Sequence, residues 1–171
     1  MKSIEITGKR NLDKINKVEN PKRKQTEKWN LDNIYFTYKK HVEMINNLYL
    51  NQHFEYDTLL KREIDKKIRG YKSQDIQKTL LNNNKFISLD NTIEKLVSSK
   101  LKCYYCNDNC QLLYSNVLSK KQWTLDRINN DLGHNDDNVV ICCYECNVKR
   151  GDMDSQRFKH GKSIKIIKKH T

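Results

Sequence analysis

Two Cys-x-x-Cys pairs, far apart in the sequence, constrain the fold of this chain more than any other feature. They are CYYC, with Cys103 and Cys106, and CYEC, with Cys143 and Cys146. Each pair can present two thiolates from one tight turn, and four thiolates suit the tetrahedral coordination of zinc. A disulfide framework would instead spread its cysteines through a small secreted chain. The spacing therefore predicts a structural Zn²⁺ that joins two distant segments.

Two further cysteines leave the ligand set open to alternatives. All six cysteines of the chain lie in the segment that the two pairs span. Cys142 can compete with Cys143 for the metal, and Cys110 can compete with Cys106. We expect the two-residue spacing, because one tight turn then presents both sulfur atoms to the same ion.

Composition limits the size of the core and the class of partner. The 171 residues are 36% hydrophobic, and the formal net charge is +12. We expect a modest core assisted by the metal, and attraction to a polyanion, DNA above all. The sequence shows no long apolar run, signal peptide or lipidation motif. We therefore expect a soluble intracellular protein, in cytoplasm or nucleus, without a membrane partner; no feature predicts its oligomeric state.

The chain divides into four predicted regions. They are a flexible basic arm over residues 1–28, a helical region over 29–99, a zinc-binding domain over 100–153 and a basic C-terminal tail over 154–171. Helices are expected over residues 29–51, over 56–69 with a stop at Gly70, from Ser73 onward, and over 88–99 with Ser88 as the cap. His41 and His53 are expected at the surface or at helix ends.

The second half of the chain has the order strand, loop, strand, helix. WTLDRI and NVVICC are predicted strands, NNDLGHNDD is the loop between them, and NVKRGDMDSQRF can form a helix. The segment QLLYSNVLSKKQ also suits short strands. With the two cysteine pairs, this order resembles the HNH endonuclease family and its ββα-metal fold over roughly residues 100–153. We predict an α+β chain, in which a zinc-stabilised ββα-metal domain follows a basic, mostly helical region.

The resemblance implies a role for each residue that matches the family motif. Family members commonly carry an Asp-His pair on the first strand, and this chain has Asp126 and Arg127 there. Asp126 and Asn147 are the implied ligands of a catalytic Mg²⁺ or Mn²⁺, and Asn138 is implied to orient the loop. The Asp-Arg variant is similar to predicted nucleases of phages and large DNA viruses.

Arg127 leaves the predicted site without the family's usual general base. A guanidinium group cannot accept a proton at physiological pH, but it can bind a phosphate and stabilise transition-state charge. His134, in the loop, is the nearest side chain with a suitable intrinsic pKa and is our candidate base. A metal-bound water that needs no protein base is the alternative. Lys149 and Arg150 are candidate phosphate contacts.

These residues predict a metal-dependent endonuclease that hydrolyses DNA phosphodiester bonds, with RNA as an alternative substrate. A second hypothesis comes from a different class of protein. In it, the chain is a catalytically inactive, zinc-supported DNA-binding module, because Arg127 stands where the base would be.

Overall fold

The structure, a computed structural model, describes residues 29–164 and, before them, residues 7, 8, 12, 15 and 16. The rest of the predicted basic arm and the end of the predicted tail, residues 165–171, lie outside the described residues. The described part has mixed α and β structure, with five α-helices and one two-stranded sheet. The helices are α1 Tyr38–Tyr49, α2 Asp57–Gln77, α3 Leu89–Ser98, α4 Tyr144–Arg150 and α5 Ser155–Ser163, and the strands are β1 Trp123–Arg127 and β2 Val139–Cys143.

None of the described helices is both long enough and apolar enough to cross a membrane.

Two of the predicted helices are confirmed. A 3-10 turn over Asn33–Phe36 precedes α1, whose first turn is capped by Thr37: its hydroxyl accepts a hydrogen bond from Lys40 N at 3.4 Å. Ser88 caps α3 as predicted, accepting from Asn91 N at 3.1 Å. Both helices bury apolar residues on one side only, as amphipathic helices do.

The predicted break at Gly70 is wrong, because α2 continues through this glycine to Gln77. A glycine in a helix costs only about 1 kcal/mol relative to alanine, and α2 buries Leu60, Ile64 and Ile68 before it. The helix predicted from Ser73 is therefore part of α2. The Ser73 hydroxyl donates to Arg69 O at 3.0 Å inside this helix instead of capping a new one.

The two strands predicted from WTLDRI and NVVICC are confirmed and form an antiparallel pair. Asp126 lies opposite Val140, and Arg127 lies opposite Val139. The chain then enters α4, which packs against both strands. Further strands expected in QLLYSNVLSKKQ are not formed; the one described pairing there is an isolated bridge between Gln111 and Gln122.

One apolar core connects the helical region with the cysteine-bearing region. It includes Met44 of α1, Leu60 of α2, Leu96 of α3, and Trp123 and Leu125 of β1. Ring contacts extend it at its margin, where Phe158 of α5 meets Tyr105 edge to face with 5.0 Å between centroids. The helices therefore form one wall of the structure that holds the candidate site.

His41 is buried in this core, so the expectation of a surface or capping role for it is wrong. Only 1% of the residue is exposed, and its Nδ1 accepts a hydrogen bond from Leu112 N at 3.2 Å. The imidazole thus pairs the buried backbone N–H of Leu112, which lies in the segment where a further strand was expected. Burial lowers the pKa of His41 from 6.5 to about 4. His53 is exposed at the start of α2, where its Nδ1 lies 2.6 Å from Asp57 Oδ2.

The buried, neutral His41 should make stability depend on pH. Its folded pKa lies below its unfolded pKa, so the unfolded chain gains a proton first as pH falls below about 6.5, and this contribution to stability is lost down to about pH 4. Urea unfolding of wild type and His41→Asn should show a stability difference that shrinks by about 2 kcal/mol between pH 7 and pH 5. Other titrating groups contribute to both proteins and cancel. A difference independent of pH would contradict a neutral His41.

Candidate functional site

Four cysteines form a cluster that can hold a metal ion such as zinc. The sulfur atoms of Cys103, Cys106, Cys143 and Cys146 all lie within 4.8 Å of one another. Cys106 is half-buried, and the other three are buried. Within residues 29–164 and the five described positions before them, this is the one group of three or more His, Cys, Asp or Glu side chains with such geometry. The predicted grouping of the two pairs is confirmed.

Backbone hydrogen bonds shape the two turns that present these thiols. Asn107 N donates to Cys103 O at 2.9 Å and closes the first turn, with Asn107 at a positive φ of 58°. Tyr104 N donates to Ile141 O at 2.9 Å, which attaches this turn to β2. The second pair lies where β2 passes into α4, so the helix start sets its spacing.

The other two cysteines lie outside the four-sulfur cluster. Cys142 is buried beside Thr124, with 3.2 Å between Sγ and Oγ1. It neighbours Cys143 on β2, and adjacent strand residues point to opposite faces. Cys110 is buried and its thiol contacts that of Cys103, but it does not belong to the group of four sulfur atoms that all lie within 4.8 Å of one another. The two-residue spacing is therefore the one that the structure forms.

A cleft of about 550 Å³ lies along β1, with walls from α2 and α4. Five of the predicted site residues line it: Asp126, Arg127, His134, Asn147 and Arg150. Helix α2 adds residues that the sequence did not indicate, among them Lys67 and Tyr71, and Lys78 follows directly after its end. The structure places neither Asn138 nor Lys149 among the lining residues.

Asp126 lies at the base of this cleft and is 4% exposed. Its Oδ1 accepts a hydrogen bond from Arg150 Nη1 at 2.9 Å, and its Oδ2 accepts one from the Tyr105 hydroxyl. Burial raises the pKa of Asp126, while Tyr105 and Arg150 oppose this by stabilising the charged form. Each carboxylate oxygen keeps a lone pair for a further ligand.

Asn147, on α4, is oriented by the edge of β1. Its Nδ2 donates to Leu125 O at 3.2 Å and to Thr124 Oγ1 at 3.1 Å. A carbonyl oxygen only accepts hydrogen bonds, so the amide nitrogen must face the strand. The amide oxygen Oδ1 is thereby turned away from Leu125 O and is available as an oxygen ligand.

Arg127 is half-buried and holds the loop that follows β1. Its Nη1 donates to Asn130 O and Leu132 O, both at 3.1 Å. A guanidinium carries five N–H donors, and within the described part of the chain these two bonds are the ones found for Arg127. The remaining donors can serve an anion in the cleft.

Asn138 holds the same loop from its other end and is buried. Its Oδ1 accepts from Asn129 N at 2.9 Å, and its Nδ2 donates to Asn129 O at 2.9 Å and to Gly133 O at 3.0 Å. All three bonds are to backbone groups, so this amide defines the path of the chain between β1 and β2.

His134 is buried rather than solvent-exposed, although it lies in a loop. It is 5% exposed, and its Nδ1 lies 2.7 Å from Asp75 Oδ1. Its ring stacks on Tyr71, with 4.7 Å between centroids. Burial lowers the pKa of His134, and the Asp75 carboxylate opposes this effect.

Lys149 and Arg150, the two predicted phosphate contacts, differ in exposure and in their partners. Lys149 is exposed and pairs with Glu145 at 2.8 Å on the surface of α4. Arg150 is 4% exposed and engaged with Asp126, Ile128 O and Asn130 Oδ1. Its main contacts are thus inside the protein, although it also lines the cleft as a candidate phosphate contact.

Two residues of α2 that line the cleft beyond Gly70, Tyr71 and Gln74, were missed because the helix was predicted to stop at this glycine. A signal for them was present. Leu60, Ile64, Ile68, Tyr71 and Asp75 follow one another at spacings of three or four residues, which places them on one helix face. The apolar series therefore continues past the glycine into the site.

Comparison with known proteins gives a viral relative. Over 94 residues the chain is 37% identical to an uncharacterized protein, R423, of Acanthamoeba polyphaga mimivirus. The match covers 55% of this chain and 15% of the mimivirus protein, so the chain spans a small part of that protein's length. No family model matches the chain, and no solved structure matches it. Because this relative is itself uncharacterized, the interpretation of function depends on the geometry of the cleft.

Proposed function

We propose that this protein is a metal-dependent endonuclease that hydrolyses DNA phosphodiester bonds in the cleft along β1. One observation carries the proposal: the cleft brings together two oxygen ligands, Asp126 and Asn147, a guanidinium with free donors, Arg127, and a buried imidazole, His134. These groups supply what phosphodiester hydrolysis needs, namely a metal site, a phosphate contact and a proton acceptor. The order β1, β2, α4 is that of a ββα-metal unit.

The four-cysteine cluster is proposed to hold a structural zinc ion. Structural zinc sites built from four thiolates are tetrahedral and closed to substrate. Cys146 directly precedes Asn147, so a metal bound to the cluster fixes the start of α4 and the position of this asparagine. The zinc is therefore proposed to support the cleft without taking part in the reaction.

The residues around Asp126 fit a hard divalent cation that binds together with a phosphate. Mg²⁺ commonly takes one or two protein ligands and completes its shell with water and phosphate oxygens. Asp126 provides the one carboxylate, but Arg150 lies 2.9 Å from it and neutralises its charge. The DNA phosphate is needed to supply the missing negative charge, so we expect weak metal binding before DNA enters. When bound, Mg²⁺ or Mn²⁺ stabilises the charge that develops on the phosphate and the leaving oxygen.

The protein side chains perform the remaining steps of the proposed hydrolysis. Arg127 binds the phosphate through its free N–H groups and keeps it in the cleft. His134 takes a proton from the attacking water, whose oxygen forms a bond to phosphorus as the bond between phosphorus and the leaving oxygen breaks. The leaving oxygen takes up a proton from solvent. Lys78, directly after α2, adds positive charge along the path of the DNA backbone, and Lys67 of α2 adds charge in its ammonium form.

The Asp126–Arg150 ion pair also favours the second candidate, a zinc-supported DNA-binding module without catalysis. A carboxylate neutralised by arginine is a poorer metal ligand than a free one. Both candidates predict DNA binding that weakens as salt increases, because phosphate contacts release counterions. They differ in cleavage: the nuclease nicks plasmid DNA with Mg²⁺ or Mn²⁺, whereas the module retards DNA in a gel and never nicks it.

The zinc proposal predicts separate outcomes for two neighbouring cysteines. Wild type should contain about one zinc per chain. Cys143→Ser should lose this zinc and melt at a clearly lower temperature, because metal binding contributes directly to folding. Cys142→Ala, a buried control outside the cluster, should keep its zinc. Elemental analysis and thermal melts check both, and equal zinc loss in the two variants would contradict the assigned ligands.

The nuclease proposal predicts that the charge of Asp126 is essential. Asp126→Asn keeps the size of the side chain and an oxygen for Arg150, but it leaves this buried guanidinium without its countercharge. It should therefore melt at a lower temperature than wild type, and at the assay temperature it should still bind zinc and DNA. It should cut supercoiled plasmid at least about 10²-fold more slowly than wild type, the cost of losing one preorganised electrostatic group. Asp137→Asn, an exposed aspartate in the loop region, should cut like wild type. Cleavage by Asp126→Asn at the wild-type rate would overturn the metal-ligand role.

A further inference from the structure

The strongest unexplained feature of the cleft is a buried carboxylate that reaches the candidate base from another part of the chain. Asp75, on α2, is completely buried. Its Oδ2 accepts a hydrogen bond from the backbone N–H of His134 at 2.6 Å, and its Oδ1 lies 2.7 Å from His134 Nδ1. A single side chain thus fixes both the backbone and the ring of this histidine.

The surrounding backbone is built for this contact. A Cβ added at Gly133 would lie 2.5 Å from Leu80 O and 2.8 Å from Asp75 Oδ2. The residue before the histidine must therefore be a glycine for the loop to approach the carboxylate so closely. His134 O in turn accepts from Ile87 N at 3.0 Å. The loop is held on both sides of the imidazole.

Helix α2 also positions the ring against the strand that carries Asp126. Tyr71 stacks on the His134 ring at an interplanar angle of 28°, and its hydroxyl accepts a hydrogen bond from Leu125 N at 3.1 Å. One tyrosine therefore contacts both the imidazole and the edge of β1. The distance between the base and the strand is set by a helix outside the ββα unit.

The pattern of hydrogen bonds determines the tautomer of His134. A carboxylate accepts hydrogen bonds, so the Nδ1 that faces Asp75 must carry the proton. Nε2 then keeps its lone pair. Because His134 lines the cleft, this nitrogen is the one available to accept a proton from water.

We propose that Asp75 is a positioning residue of the active site, which orients His134 and holds it as the Nδ1–H tautomer with Nε2 ready to accept a proton. This inference rests on the proposed nuclease function. It makes the helical region part of the catalytic unit, because without α2 the loop histidine has neither a fixed orientation nor a fixed tautomer.

The charges around His134 set the pH range in which it acts. Asp75 and Tyr71 face it from α2, Lys78 faces it from the position directly after that helix, and Arg127 faces it from β1. Burial lowers the pKa of His134, Asp75 raises it, and Arg127 and Lys78 lower it further. The imidazole is then neutral at pH 7, so cleavage should increase with pH through an apparent pKa below 6.5 and stay high above it.

The test is Asp75→Asn in the zinc-loaded chain of 171 residues. The backbone N–H of His134 needs an acceptor, so the asparagine oxygen faces it and the asparagine NH₂ faces Nδ1. This arrangement favours the Nε2–H tautomer, which cannot accept a proton at the cleft. Single-turnover DNA cleavage should fall by about 10² to 10⁴-fold, the range of a general-base contribution, while DNA affinity and zinc content stay unchanged. Asp65→Asn, on the outer surface of the same helix where Asp65 pairs with Arg69, is the matched control and should cut like wild type.

Two further measurements separate positioning from a merely structural contact. Nitrogen-15 NMR of the imidazole should show the proton of His134 on Nδ1 in wild type and on Nε2 in Asp75→Asn. The double variant Asp75→Asn/His134→Ala should cut no more slowly than His134→Ala alone, because the two residues act as a unit. If Asp75→Asn does not fold, the wild-type tautomer and the pH profile of wild type against His134→Ala still decide the question.

The outcomes distinguish this inference from the proposed function. If wild type cuts DNA and Asp75→Asn cuts it at the same rate with the same pH profile, the role of Asp75 is overturned and the nuclease proposal stands. A wild-type His134 that carries its proton on Nε2 also overturns it. Failure of wild type to cut any DNA with Mg²⁺ or Mn²⁺ overturns the nuclease itself, and the catalytic role of the pair with it.

Discussion

The buried ion pair between Asp126 and Arg150 is the contact on which the arrangement of the candidate site depends. It joins β1 to the last turn of α4, and the Tyr105 hydroxyl binds the other carboxylate oxygen. Tyr105 also contacts Ser155 at the start of α5, with 3.1 Å between hydroxyl oxygens. Losing one partner of a buried pair costs about 3–5 kcal/mol, whereas an apolar pair of similar size is often equally stable. Stability alone therefore does not explain a carboxylate at this position, and a metal site there is the reason that we propose.

The charge that remains in the cleft is positive once this pair is neutralised. Arg127, Lys78 and Lys67 line the cleft, and one further carboxylate, Asp152, lines it as well. Burial lowers the pKa of Lys67 to about 7, so this lysine is partly neutral at neutral pH. Its amino group donates to Trp123 O at 2.5 Å and lies 4.7 Å from the centroid of the Trp123 ring. A concave surface with these cations concentrates the field of a chain whose net charge is +12. Such a field attracts phosphate, which the proposed metal site needs to complete its charge.

Local sequence patterns predicted the parts of the structure that local forces determine. The cysteine spacing, the two strands and the Ser88 cap each depend on residues a few positions apart, and the structure has all of them. The misses come from long-range packing. Apolar contacts carry α2 through Gly70, the core buries His41, and Asp75 meets His134 although 59 positions separate them. The helical spacing past Gly70 does favour a continuous α2. No short sequence window contains the partners of His41 and Asp75, however, because these partners come from other elements.

Arg127 stands where the expected motif has a histidine, and it also holds the loop that carries His134, the proposed replacement base. A histidine in its place on β1 would supply a base, but it would not carry the fork of donors with which Arg127 binds Asn130 O and Leu132 O. These bonds and those of Asn138 to Asn129 and Gly133 give the loop its shape. The shape brings the next residue, His134, to Asp75 at the wall of the cleft. In the proposed mechanism, Arg127 therefore has two roles. It stands where a histidine base would be on β1, and it shapes the loop that supplies His134 as the base instead. Its guanidinium also stays beside the phosphate, where a positive charge is useful.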